Sequence, residues 1–248
     1  MDKYYRQTTL SQAVALSGTG VHSGKRTNIT IKPARENHGI KFRRVDLPGT
    51  QDIQALFKLV VDTSLATVLG TNGAIVSTIE HLMASFAGLG IDNALVEVDD
   101  YEMPIMDGSA KEFTRALTAA GTIEQDVPKH FIIVKKTIQV QDQDKSVMVL
   151  PEPCFKITCS IDFPHPLIGK QTITYDRAKN NFEQEISHAR TFGFIQDLEL
   201  LRKFSLGKGG SLDNAIVIDK DKILNEEGLR YPDEFVRHKL LDSLGDFS

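Results

Sequence analysis

The segment DEFVRHKLLDSLGD, residues 233–246, carries His238 and Asp242 four residues apart, with Lys239 beside the first and Asp246 four residues beyond the second. Wound as a helix, these four side chains fall within an arc of about 100°, while Val236, Leu240, Leu241 and Leu244 take the opposite side. Side chains at i and i+4 stack one above the other, so His238 and Asp242 can reach a single metal ion. The other reading of the same spacing is a solvated face on which His238 and Lys239 balance the two aspartates. A catalytic zinc takes three protein ligands and keeps a fourth position for water, so the choice turns on a third donor. Glu80 and His81 in STIEHLMASF offer an imidazole with a carboxylate next to it, and that carboxylate is suited to take a proton from an attacking water. Ser77 and Glu80 also have the spacing of a capping box, in which the carboxylate turns back to the backbone N–H of Ser77. His81 can equally be a helix-start histidine satisfied by a carbonyl. Spacing leaves both alternatives open.

The other histidines are weaker candidates. His22 in GTGVHSGK and His165 in DFPHPLIG sit in turn-like contexts, His38 and His130 in polar loops where exposure is expected, and His188 in ISHARTF reads as a partly buried structural histidine. SLGKGGSLDN invites a phosphate-loop reading through its glycines and Lys208, but it lacks the G-x-x-x-x-G-K-[ST] spacing, which favours a plain turn.

These residues need elements to hold them. TNITIKP and ALVEVDD alternate as strands; STIEHLMASFAGLG has helical spacing stopped by glycine; DGSAKEFTRALTAAG reads as a helix capped by Ser109 and closed by Gly121. GTIEQDVPKH, polar and proline-containing, is the expected linker. FIIVKKTIQV, KSVMVLP, FKITCSIDF and KQTITYD then read as antiparallel strands, and a second helical region starts near EQEISHARTF. LGIDNALVEVDD returns as GSLDNAIVIDKD and KEFTRAL as DEFVRHK, an internal echo that predicts a duplicated α+β unit: a first domain over residues 1–126 and a second over 127–248. Residues 194–210 have no counterpart in the first half and form an insertion with an apolar stripe at Ile195, Leu198 and Leu201.

At 248 residues the chain is long for one compact unit. A net charge of -4 argues against a general nucleic-acid binder. Cys154 and Cys159, five apart on an extended segment, point to opposite faces and do not predict a disulfide. With no disulfide framework, no leader-like start and no uncharged apolar run of spanning length, the expected address is cytoplasmic.

STIEHLMASFAGLGIDN, PIMDGSA, ISHARTFGF, GGSLDNAIV, LNEEGLR and DEFVRHKLLDSLGD together resemble the zinc-dependent UDP-3-O-acyl-N-acetylglucosamine deacetylases of lipid A biosynthesis, from SGTGVHSGK to the last residues. The resemblance implies an α+β fold of two similar domains, each a two-layer sheet-and-helix sandwich, with the active site between them. It makes His81, His238 and Asp242 the zinc ligands, a set that iron(II) also accepts, and Glu80 the general base. It gives Thr191 the oxyanion, Lys239 the substrate diphosphate, Phe163 the nucleotide base, Phe192 the sugar and acyl region, and residues 194–210 the acyl passage. The implied partner is an acylated UDP-sugar, with no nucleic acid, at most a peripheral relation to membrane lipid synthesis, and a monomeric enzyme. In the family, an aspartate matching Asp246 holds the histidine of a later Gly-His pair that serves as general acid. That pair is not in these residues, so the expectation is a C-terminally incomplete chain, with a catalytically impaired zinc- and nucleotide-sugar-binding fragment as the alternative.

Overall fold

The computed structural model describes residues 5–248. TNITIKP lies in strand Arg26–Pro33, where Thr27, Ile29 and Ile31 are buried on one face and their neighbours turn outward, the period of two that a half-buried strand requires. This strand pairs antiparallel with Val14–Thr19 on one side and Ala94–Val98 on the other. Ala94–Val98 in turn runs parallel to Ile40–Arg44, and the short strand Ile53–Gln54 closes the sheet. A three-stranded sheet of Val60–Asp62, Val68–Thr71 and Ala74–Ser77 delivers the chain to helix α1, Glu80–Leu89. Helix α2 spans Lys111–Ala120, and α1 packs against it. Gly90 ends α1 with φ of 74°, a left-handed conformation that glycine adopts without a Cβ penalty.

In the second half, Lys156–Phe163 and Gly169–Asp176 form one hairpin and Ile138–Asp142 with Lys145–Val149 another, two separate sheets rather than one run of strands. Short helices α3 (Phe182–Glu185) and α4 (Leu198–Lys203) follow, then α5, Glu234–Asp246. Strands Phe192–Phe194 and Ile216–Asp219 pair in parallel, and Lys222–Ile223 adds an antiparallel edge. The echo is visible in the architecture: Ala94–Val98 and Ile216–Asp219 each run beside a parallel neighbour, and the echoed helices α2 and α5 bury Phe113 and Phe235. An α+β fold is thereby established. One apolar cluster fills the first half, and a second joins Ala84 and Ala110 to Tyr175, Phe182, Leu240, Leu241 and Leu244, so the two halves share a core.

Four local expectations are corrected. The stretch read as a linker is strand Thr122–Pro128, paired antiparallel with Arg6–Leu10; distant backbone supplies its partners, which composition cannot reveal. FIIVKK is not a strand, and pairing begins only at Ile138. The helix expected near EQEISHARTF is the four-residue α3, because the backbone of Ala189 and Arg190 is engaged by α5. Ala110 rather than Ser109 is the N-cap of α2, although the Ser109 hydroxyl still accepts from the Lys111 N–H at 3.2 Å. Cys154 and Cys159 are both free thiols, with Cys154 in the bend before strand Lys156–Phe163 and Cys159 on it.

Candidate metal centre

Thr78 places the start of α1. Its φ of 60° is a strained conformation for a β-branched residue, and it turns the chain sharply out of strand Ala74–Ser77 so that Glu80 and His81 open the helix. The capping box does not form. Ile79 is the N-cap, and the Ser77 N–H already donates to the Tyr101 carbonyl at 2.8 Å, leaving Glu80 nothing to reach back for. One Glu80 oxygen, Oε1, accepts from the Thr67 backbone N–H, and Oε2 is buried with no partner.

Helix α5 crosses α1 at Gly245. A Cβ built there would lie 2.3 Å from the Glu80 carbonyl oxygen and 3.1 Å from the Ala84 nitrogen, so only glycine permits this approach. The consequence one turn away is the meeting of His81 with His238 and Asp242. Asp242 Oδ1 lies 3.7 Å from His81 Nε2 and 3.5 Å from His238 Nε2, the two rings stand nearly perpendicular with centroids 5.1 Å apart, and one donor atom from each residue falls within 4.8 Å of the others. His81 and His238 are 5 % and 1 % exposed, so His238 is withdrawn from solvent, whereas Asp246 at the end of the same face stays exposed. The Nδ1 of His238 lies 3.1 Å from the Ala189 carbonyl. A carbonyl only accepts, so the proton is on Nδ1 and the Nε2 lone pair faces Asp242. Lys239 reaches Asp242 Oδ2 at 3.1 Å and lies over the Phe192 ring, 5.6 Å from its centroid.

Burial dominates the electrostatics. It pushes Glu80 up to about 8, aided by the negative charge of Asp242. It holds His238 down at about 4 and lowers His81 in the same direction, so both imidazoles are neutral, the form a ligand needs. For Asp242, burial acts upward, but His238, Lys239 and His81 outweigh it and keep the carboxylate below its ordinary value. Asp246 is exposed at the end of α5, yet the protein atoms packed around its carboxyl desolvate it enough to raise it, while Thr67 Oγ1 donates to it at 2.8 Å.

The structure thus gathers Glu80, His81, His238, Lys239, Asp242 and Asp246 in one place. Phe192 stacks edge-on between Phe163, at 5.7 Å, and Phe235, at 5.0 Å, and its centroid is 6.5 Å from that of His238. Thr191 lies two residues past Ala189; its N–H donates to the Gly108 carbonyl at 2.7 Å. Thr67 carries no motif although it touches both Glu80 and Asp246, for one contact reaches 13 residues along the chain and the other 179, and neither leaves a periodic signal. His38 is half-buried rather than exposed, while His130 is exposed as expected. The glycine loop is a turn: the N–H groups of Lys208 and Gly209 donate to the carbonyls of His22 and Val21 at 3.3 and 3.0 Å, leaving them engaged rather than open to a phosphate.

Two imidazoles and a carboxylate around one point, with a buried carboxylic acid alongside on an α+β scaffold, define the side-chain set of a metal-dependent hydrolase. The sequence matches the family described as UDP-3-O-acyl N-acetylglycosamine deacetylase over residues 7–248. It is 52 % identical over 244 residues to the UDP-3-O-acyl-N-acetylglucosamine deacetylase of Myxococcus xanthus, covering 98 % of this chain and 78 % of that one. The proteins of the same name from Chromobacterium violaceum and Idiomarina loihiensis are 51 % and 50 % identical, each with 97 % of this chain and 80 % of theirs covered. The chain belongs to this deacetylase family and is an enzyme of the hydrolase class. Among the described residues, no helix is long and apolar enough to cross a membrane.

Proposed function

We propose that this chain hydrolyses the acetamide of a UDP-3-O-acyl-N-acetylglucosamine, releasing acetate, as a step of lipid A biosynthesis, with His81, His238 and Asp242 holding one zinc ion. Iron(II) is chemically compatible with the same donors. The observation that carries this reading is the convergence of three donor atoms within 4.8 Å from two helices distant in the chain, beside a carboxyl group with one buried oxygen unpartnered. When bound, the ion supplies Lewis acidity toward the amide carbonyl and lowers the pKa of water.

Glu80 Oε2 accepts the proton of the attacking water, while the Thr67 N–H holds Oε1 and fixes the direction of the free oxygen. The carboxylate form that a base requires is favoured once positive charge stands beside it. The Thr191 hydroxyl donates to the developing oxyanion. Asp246 is the carboxylate suited to orient a proton donor, and among the described residues Glu80, once it has taken the proton from water, is the acid that can return it to the leaving amine. Lys239 receives the diphosphate, Phe163 the base and Phe192 the sugar and acyl region; the apolar side chains of residues 194–210, with Ile195, Leu200 and Phe204 exposed, take the acyl chain. This reading includes two domains, expected at 1–126 and 127–248 but with the first carried through the end of strand Thr122–Pro128, a cytoplasmic address and a monomer.

Acetate release from the acylated UDP-sugar with added zinc tests it. Glu80→Gln should keep the metal and lose about 10² to 10⁴ in rate, whereas His81→Ala should lose both. Full turnover in Glu80→Gln would overturn the assignment of the base.

A further inference from the structure

Arg190 is among the largest fully buried side chains, at 1 % exposure, and the proposed chemistry gives it no task. Its guanidinium is held on three sides. Nε donates to Glu234 Oε1 at 2.9 Å, Nη1 to Glu227 Oε1 at 2.5 Å, and Nη2 to the Gly228 carbonyl at 2.7 Å. Glu234 is 0 % exposed and also accepts the backbone N–H groups of Arg190, at 3.0 Å, and Arg230, at 2.5 Å.

The position of this pair gives it meaning. Glu234 opens α5, and His238 follows one turn later on the same face. Immediately before Arg190 stands Ala189, whose carbonyl accepts from His238 Nδ1 at 3.1 Å; immediately after it stands Thr191. Segment 189–191 therefore meets α5 at two points a turn apart, one of which is the hydrogen bond that sets the protonation pattern of the His238 ring.

We propose that Arg190 and Glu234 are positioning residues for the metal centre: the buried pair locks segment 189–191 onto α5, holds the Ala189 carbonyl against His238 Nδ1, and so aims Nε2 at the ion. The inference rests on the metal-site reading given above. A buried ion pair is a weak source of stability compared with apolar residues of the same volume, whereas a ring held in one tautomer and one orientation raises metal affinity directly. The planar fork of arginine matters, because it reaches the Glu234 carboxylate, Glu227 and the Gly228 carbonyl at once, which a lysine ammonium does not.

The test is a chelator competition titration with zinc, together with the absorption spectrum of the cobalt(II)-substituted protein, on Glu234→Gln, Arg190→Lys and Glu227→Gln. The first two should lose about 10- to 100-fold in affinity and shift the cobalt bands. Glu227→Gln, which removes only the more exposed partner, should stay within about twofold of the parent chain. Unchanged affinity and spectrum in Glu234→Gln, with only a lower melting temperature, would reduce the pair to a structural element and overturn the proposal. Should Glu234→Gln fail to fold, nitrogen NMR of the histidine rings in the parent chain decides: protonation of His238 at Nδ1 with and without zinc supports it, and protonation at Nε2 sinks it. A parent chain that takes up no zinc defeats the metal-site reading itself, a failure distinct from loss of affinity in the variants.

Discussion

Replacing Gly245 with alanine isolates the helix crossing as the device that builds the centre. The added Cβ would stand 2.3 Å from the Glu80 carbonyl oxygen and 3.0 Å from its carbonyl carbon, against an ordinary contact beginning at 3.4 Å. Relief requires α1 and α5 to part by about 1 Å, since both neighbours are backbone and cannot rotate aside. His81 adjoins Glu80 and Asp242 lies three residues before Gly245, so the separation is passed to the gap between His81 and the pair on α5. Ligand distances tolerate only about 0.2 Å. Zinc affinity in a competition titration should therefore fall by more than about tenfold, the loss of one well-placed ligand contact. Stability in the presence of a chelator should fall by about 0–2 kcal/mol, because overpacking costs about 1–3 kcal/mol and alanine returns about 1 kcal/mol of helix propensity. Gly193→Ala is the control, since a Cβ there meets nothing within 4 Å. Affinity within twofold of the parent chain in Gly245→Ala would refute the idea that this glycine sets the ligand geometry.

Chelation should lower the melting temperature of the parent chain and leave that of His81→Ala unmoved; free zinc at 100 times its Kd contributes about 2.7 kcal/mol, and identical thermal scans with and without chelator would contradict a bound ion. Arg230 donates to Asp107 at 2.9 Å and to the His188 carbonyl at 2.9 Å, tying the entry to α2 to the second half of the chain. Burial raises Asp107, but Ser109 and the Arg230 guanidinium outweigh it, so the carboxyl titrates below its ordinary 3.8. The unfolded chain thus takes up its proton first on acidification, and the stability from this pair is complete above 3.8 and lost as pH falls through the lower folded value. Arg230→Gln should cost about 1 kcal/mol at neutral pH, with a difference from the parent chain that shrinks below 3.8 in urea melts; an equal difference at pH 3 and pH 7 would rule out an ionic origin.

Much of the secondary structure was legible because its signals are local. Alternation marked Arg26–Pro33 and Ala94–Val98, helical spacing with a terminal glycine marked α1, and the echo matched strand to strand and helix to helix. Reading failed where a distant partner decided the outcome. Thr122–Pro128 is a strand only because Arg6–Leu10 lies beside it, and α3 stops early because α5 claims the backbone that follows.

The site divides the same way. From sequence alone came the donor types, the stacking of His238 over Asp242, and the motifs that tie the chain to its deacetylase family. Whether Glu80 capped its own helix, and whether the imidazole on α5 met water, were beyond any local pattern. Tertiary structure decided both: Tyr101 occupied the Ser77 N–H, and the approach of α1 at Gly245 removed water from both imidazoles. Desolvation and ligand convergence depend on atoms brought in from elsewhere in the chain, whereas periodicity is a property of neighbours.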